Sequence, residues 1–210
     1  MSRQVTSLAD QFGVEVRKAL DLIEATEKVR SSNPSAQVKR DFSIYRIELI
    51  YELAYLRIFL FWEQFLEESL VRYLCGYENA HGREVLTSGV YDRRIEDARN
   101  RIRRGRPYLL WHNPQEVVNR VRGYIASGTH ETVINSNLID LQHFANIRHR
   151  IAHLQEDARR KFDIASMSLC GKRFHGARPG KLLRHKFSST ERWVEKIGLD
   201  LLNLAKQITP

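Results

Sequence analysis

A chain of 210 residues, 42% hydrophobic and 28% charged, is long enough to bury a core and has neither the composition of a disordered tract nor that of a fibrous one. Its two cysteines, Cys75 and Cys170, exclude a disulfide framework and a thiolate zinc site, and Met1 to Asp10 lacks the apolar stretch of a secretory signal, so a reducing cytoplasm is the expected compartment. The net charge of +9 and pI near 9.8 draw polyanions, which makes nucleic acid or an anionic surface the partner class to test.

From about Thr6 to Arg30, Leu8, Phe12, Val16, Leu20, Ile23 and Val29 recur at amphipathic-helix spacing. Ser31-Ser32-Asn33-Pro34-Ser35 interrupts it, because a proline biases the residue before it out of the helical region. A long helix is expected from about Asp41 to Leu74, with Tyr45, Leu49, Leu53, Leu56, Leu60, Phe65 and Leu70 as its apolar stripe. Its most apolar run, Ile47 to Trp62, carries Glu48, Glu52 and Arg57, charges that are costly in hydrocarbon, so it reads as a core helix and no membrane partner is expected. Gly76 suits the end of that helix, and residues 77–91 show no sustained period.

Residues 92–106 are dominated by arginine, including Arg99, Arg103 and Arg104, around a narrow seam of Ile95, Ala98 and Ile102. A solvated helical face laced by ion pairs and a groove for an RNA backbone both fit this pattern. Asn113-Pro114-Gln115-Glu116 starts a helix, with Asn at the N-cap and Pro at the first helical position, and that helix is expected to end by Gly128. Thr129 to Asn137 reads as a turn. Leu138 opens a further helix expected to run to about Phe162 or Ile164.

Residues 171–186 hold Lys172, Arg173, Arg178, Lys181, Arg184 and Lys186 among Gly176, Pro179 and Gly180. This is a basic loop, either a solvated connector or a mobile holder of a phosphate chain. Ser188 to Glu191 has the form of a capping box for a last helix through Trp193, Ile197, Leu201 and Leu204. No run alternates with period two. The expectation is one all-α domain over residues 1–210, a bundle of about five helices around one long central helix.

The helix from Leu138 carries the most informative residues. At 100° per residue, Phe144, Ile147, Ile151, Leu154 and Ala158 gather in a sector of roughly 80° that should face the core. Asn146, His149, His153, Glu156 and Arg160 fall opposite, and Arg148 sits on the flank, about 140° from His153. A solvated polar face is one reading. A metal site on His149, His153 and Glu156 is another, opposed by the charges of Arg148 and Arg150 beside it. The third is a metal-free phosphodiester site, in which Arg148 steadies charge growing on phosphate and His153 moves a proton at neutral pH.

Arg148-His149-Arg150-Ile151-Ala152-His153 resembles the Arg-x4–6-His signature of the HEPN superfamily, whose members are small α-helical bundles, and Phe144 to His153 is similar to the IRNxIAH wording common there. Phe61-Trp62-Glu63-Gln64-Phe65-Leu66-Glu67 resembles an aromatic and acidic helix of its RiboL-PSP branch. The resemblance covers residues 40–165. His149 stands where Asn is commoner, and the arginine-rich stretch between the matching helices has no counterpart to carry contacts from.

The resemblance implies a metal-independent endoribonuclease that needs no cofactor and forms a homodimer, the two motifs lining a shared cleft. In such a mechanism the ribose 2′-hydroxyl attacks, His153 is base or acid, and Arg148 stabilises the transition state. His149 orients substrate or supplies a second proton transfer, and a 2′,3′-cyclic phosphate is left. DNA, lacking that hydroxyl, would not be cut. The expected setting is a toxin, with an antitoxin protein as its further partner, or a phage-defence effector. Arg99, Arg103, Arg104, Lys172 and Arg173 are the candidate RNA-backbone contacts. Two other classes compete: a non-catalytic HEPN-like module that holds RNA or a nucleotide, and a bundle that mediates protein contacts.

Overall fold

The computed structural model describes residues 4–32 and 35–210, so Asn33 and Pro34 of the expected helix break lie outside the described residues. The architecture is mainly α, with ten helices among the described residues where about five were expected. Three of them supply long spans: α1 (Ser7–Ser31), α3 (Ile44–Leu74) and α10 (Trp193–Ile208). Between α1 and α3 lies the short α2 (Ala36–Asp41), capped by the Ser35 side chain. After α3 come β1 (Glu78–Asn79), β2 (Gly82–Arg83), β3 (Val85–Leu86), α4 (Ile95–Arg103), α5 (Pro114–Arg122), β4 (Ile125–Ser127) and α6 (Thr129–Ser136). The remaining helices are α7 (Leu138–Ala152), α8 (Glu156–Cys170) and α9 (Pro179–Arg184). No helix among the described residues is long and apolar enough to cross a membrane.

The chain divides into two compact units, each assembled from separated stretches. The first takes the chain up to Gly13, Phe61–Gln142 and Leu201–Pro210. Phe12 packs on Trp62 and Phe65, with ring centroids 6.0 Å away in each case, and Trp62 stacks on Phe65 at 5.7 Å. Among the described residues the strands pair as β1 with β2 and β3 with β4, both antiparallel, and Gln4 makes an isolated parallel bridge to Glu78. Distant backbone is stitched by Val5 N–H to the Glu78 carbonyl (3.1 Å), Ala80 N–H to the Pro210 carbonyl (2.9 Å) and the Tyr73 hydroxyl to the Ile208 carbonyl (2.6 Å).

His130 lies fully buried in this unit, edge-on to Tyr73. The Ser69 hydroxyl donates to the Phe65 carbonyl at 2.7 Å, so its lone pair is what receives the His130 Nε2 proton at 2.8 Å. His130 Nδ1 has no partner among the described residues, and burial pushes the imidazole pKa down to about 3. An unfolded histidine titrates near 6.5, so folding here favours the neutral ring: its contribution to stability is complete above that value and is lost as pH falls toward the folded value. The expected slope from this one group is about 1.4 kcal/mol per pH unit over that window. Chemical denaturation at pH 4 and pH 7 checks it, because His130→Phe should flatten the acid limb relative to wild type; an unchanged limb would assign the acid sensitivity elsewhere.

The second unit takes Val14–Leu60 and His143–Asp200. Its core gathers Val16, Ile23, Ile47, Tyr51, Tyr55, Ile58, Phe162, Leu182, Leu183, Val194 and Ile197, all at most 1% exposed. Gly198 lets α10 approach closely, since a Cβ there would meet Val16 Cγ1 at 3.2 Å. Of the expected stripe on α3, Phe65 and Leu70 are buried, but its first half is not the buried side. Tyr45, Leu49, Leu53 and Leu60 are 61, 40, 65 and 62% exposed, while Ile47, Tyr51, Ala54, Tyr55 and Ile58 face inward. This helix is apolar nearly all round, so periodicity alone does not select the buried side.

Local chemistry sets several boundaries. Gly76, at φ +74°, ends α3 in a Schellman arrangement, with Tyr77 N–H on the Arg72 carbonyl and Gly76 N–H on the Tyr73 carbonyl. Asn113 caps α5 by accepting from the amides of Gln115 and Glu116 at 3.1 and 3.4 Å, with Pro114 in the first turn. Three boundaries differ from expectation. Thr129–Ser136 is the helix α6 and not a turn, with His130 and Ile134 of its inner side buried. The last helix begins at Trp193: Ser188 instead caps a tight turn through the Glu191 amide (3.1 Å), and Glu195 reaches back to the Arg192 amide (2.6 Å). Finally, the expected single helix from Leu138 to about Phe162 is two helices, α7 and α8, parted at His153-Leu154-Gln155.

Candidate active site

The break between α7 and α8 overturns the single helical wheel. Phe144, Ala145 and Ile147 are buried as a core stripe should be, but Asn146 is buried with them, and Leu154, expected in the core, is 86% exposed. Neither Gly nor Pro stands at the break. The chain immediately after it is acidic: Glu156 and Asp157 occupy the first turn of α8, where the amide dipole ends favour negative charge. At the other side, the last α7-type bond is His153 N–H to the His149 carbonyl at 2.9 Å.

Arg150 then closes the helix end. Its guanidinium donates to the His153 carbonyl (3.4 Å) and, through Nε, to the Ala177 carbonyl (3.2 Å), which satisfies two carbonyls and ties the 171–178 stretch to the end of α7. His153 is therefore an exposed residue at the terminus of a helix whose inner side is fixed in the core.

Five groups collect there. The rings of His149 and His153 lie with centroids 4.6 Å apart, tilted by 48°, as i and i+4 positions on one helical register allow. Burial lowers the His149 pKa first, then the neighbouring His153, Lys161 and Arg148, with Asp157 opposing them. His149 is thus neutral at neutral pH and able to accept a proton, and it lies in the fields of both Arg148 and His153. The first turns of α8 supply Asp157, which pairs with Lys161 at 2.7 Å and Arg160 at 3.0 Å; these bonds, Lys161 first, hold its carboxyl below the ordinary range.

Beneath Arg148, the buried Tyr55 of α3 donates its hydroxyl to the Phe144 carbonyl at 2.7 Å. That carbonyl belongs to the turn on which Arg148 stands, since a regular helix pairs residue i with i−4. Burial drives the Tyr55 pKa well up, with the Arg148 charge acting the other way, so the phenol stays a donor. Tyr55 is a positioning residue for the turn that carries Arg148.

Asp157, Lys161 and Tyr55 are not among the residues that the sequence singles out. The acidic pair Glu156-Asp157 is the signal that a new helix begins, and with it the first turn of α8 would have been placed beside the histidines. Nothing in the sequence distinguishes Tyr55 from the other aromatic residues of α3.

The candidate RNA contacts have two kinds of surroundings. Arg99 meets Glu68 at 2.5 Å, Glu67 at 3.5 Å and Glu96 at 3.7 Å, and Arg103 meets Glu67 at 3.1 Å. Glu67 also accepts from Trp111 Nε1 at 2.9 Å, so α4 is fastened to α3 through these arginines. Arg104 ends α4 at φ +47° and donates to the Tyr124 hydroxyl at 3.2 Å. These three belong to the first unit, and the histidine pair to the second. Lys172 and Arg173 are exposed in the second unit, Lys172 over the Phe174 ring at 5.4 Å.

Among the described residues no group of three or more His, Cys, Asp or Glu side chains could hold a metal ion. No family model, no curated protein and no solved structure matches the chain.

Proposed function

We propose that the chain is a HEPN-type endoribonuclease that cuts RNA without a metal ion or other cofactor, acting as a toxin or phage-defence effector. The observation that carries this reading is the pair of imidazoles, 4.6 Å apart at an exposed helix end, with His149 in the field of Arg148. Such a set supplies what transesterification needs. The ribose 2′-oxygen attacks phosphorus as its proton passes to an imidazole, the 5′-oxygen leaves with a proton from another, and the guanidinium holds the non-bridging oxygens. The products are a 2′,3′-cyclic phosphate and a 5′-hydroxyl.

Total RNA incubated with the purified protein in excess EDTA should therefore be cut to fragments with cyclic phosphate ends, and an all-deoxy strand of the same sequence should survive. RNA left whole would sink the reading.

Arg148 stands on the last turns of α7 and His153 beyond its end, so a homodimer that brings one residue from each subunit to the scissile phosphate would complete the site. The exposed stripe Tyr45, Leu49, Leu53 and Leu60 on α3 supports this, because contiguous exposed apolar surface marks an interaction face. Leu53→Glu is expected to give a monomer by light scattering at micromolar concentration and to lose cleavage with it. A variant that remains dimeric would remove the stripe from the interface.

A non-catalytic RNA- or nucleotide-binding module is the second reading, favoured by the exposure of Lys172 and Arg173. It calls for binding that falls steeply with salt and leaves RNA intact.

A further inference from the structure

The stretch that reads as a solvated connector or a mobile holder of a phosphate chain is a packed wall. Its Pro179, Gly180, Leu182 and Leu183 are buried, and α9 lies so close to α3 that a Cβ at Gly180 would run into the Glu48 carbonyl oxygen. Three further contacts hold it: Gly180 N–H donates to Glu52 at 2.8 Å, Arg178 pairs with Glu48, and Arg184 grips Glu27 with two bonds of 2.7 and 3.2 Å. The last two pairs set guanidiniums at the rim of a cleft of about 550 Å³, well within the size range of small-molecule sites.

Six cationic side chains line this cleft, Lys172, Arg178, Lys181, Arg184, Lys186 and Arg192, and Glu48 is the one carboxylate in its lining. Arg192 shares Glu27 with Arg184, at 3.2 Å. The three arginines are thus oriented by carboxylates behind them, whereas Lys172, Lys181 and Lys186 have no carboxylate partner among the described residues. His185, in the same lining, is held below its ordinary pKa by burial and by the charge of Lys172, so it adds no further positive charge at neutral pH. Against Glu48, Glu27 and Glu52, six cations leave an excess of three positive charges around one concavity. Like charges so gathered repel, and an anion seated among them relieves that repulsion.

We infer that this cleft binds a compact anion carrying a chain of two or more phosphate groups, such as inorganic tripolyphosphate or the phosphates of a nucleotide. One phosphate brings at most about two negative charges at neutral pH, too few to balance the excess. Guanidiniums oriented by carboxylates suit phosphate oxygens, and the three lysines, unpaired with any carboxylate among the described residues, supply point charges for the remainder. A walled concavity between α3, α9 and the residues before α10 suits a short anion better than a continuous strand, which needs an open track. The site is separate from the imidazole pair and needs no nuclease activity.

Calorimetric titration of the full chain with inorganic tripolyphosphate at about 0.15 M salt tests it, where long-range attraction is largely screened. The expected result is saturable binding of one anion per chain. Lys172→Gln with Lys181→Gln, both exposed positions whose melting temperature serves as the folding control, should weaken it by about ten-fold or more. Lys39→Gln, exposed and outside the cleft, should leave it unchanged.

ATP binding more tightly than tripolyphosphate would identify a nucleotide as the source, and equal affinities an inorganic chain; both support the site. No saturable binding, or a double variant that binds like wild type, overturns it. So does a single-stranded RNA that loses affinity in the double variant while tripolyphosphate fails to bind, since the cleft would then be an RNA groove.

Discussion

Changing His153 to alanine is expected to lower RNA cleavage by about 10²- to 10⁴-fold, the usual worth of a positioned general acid or base, and to leave the melting temperature nearly where it was. The second half rests on exposure: His153 lies beyond the end of α7 and adds no core surface. Arg148→Ala is expected to cost a similar factor, about 10²- to 10³-fold, through lost charge stabilisation. Because Arg148 is half-buried over the Tyr55 turn, its melting curve must accompany the rate. Arg148→Lys keeps the charge and loses the planar fork, so it should fall between wild type and alanine.

A shared cleft makes a sharper demand. Mixing the Arg148→Ala and His153→Ala proteins and allowing their subunits to exchange should restore part of the activity, since some mixed dimers contain one intact composite site. No restoration, with exchange shown independently, would place both residues of a working site on one chain. If both single variants cut RNA as wild type does, the catalytic assignment fails.

The largest effect on stability is expected from Glu27→Ala. This carboxylate, with its side chain 16% exposed, takes two bonds from Arg184, a contact from Arg192 at 3.2 Å and the Tyr51 hydroxyl at 3.0 Å. Removing it leaves two guanidiniums facing each other across a half-buried space. Loss of one partner from a buried pair costs about 3–5 kcal/mol, and the partial exposure of both arginines brings the expectation to about 2–4 kcal/mol. Urea denaturation reads it directly, and a loss below about 1 kcal/mol would mean the arginines find water instead.

The pH dependence of that difference has a definite sign. Burial raises the Glu27 pKa, but the bond and charge of Arg184, with Tyr51 and Arg192, outweigh it and leave the carboxyl below its ordinary value. A depressed carboxyl contributes stability above its unfolded pKa, near 4.3, and loses it as pH falls through the folded value. The gap between wild type and Glu27→Ala should therefore narrow in acid.

Local signals in the sequence are enough to place Gly76 at the end of α3 and Asn113-Pro114 at the start of α5, because each solves a backbone problem with its own side chain or φ. The all-helical class is legible for the same reason that the exposed stripe of α3 is not. Period 3.6 announces a helix, yet with apolar residues on several sides the choice between Leu49-Leu53-Leu60 and Tyr51-Tyr55-Ile58 is made by neighbours far along the chain. At the candidate site, Arg148, His149 and His153 stand out as a spacing. Asp157 and Lys161 join them from α8, across a stop at Ala152 that no helix breaker marks. The 171–186 stretch is packed and not a loose loop because its arginines answer to Glu27 and Glu48, more than a hundred residues upstream.

The hydrogen bonds from Val5 to Glu78, Tyr73 to Ile208 and Ala80 to Pro210 join three remote stretches into one unit. A chain still emerging from the ribosome cannot complete that unit before its final helix is released, since Leu201–Pro210 is part of it. Shortened versions that stop before Leu201 would lack a piece of the first unit and not merely a tail, so dissection by deletion is a poor route to its parts and point substitution the better one.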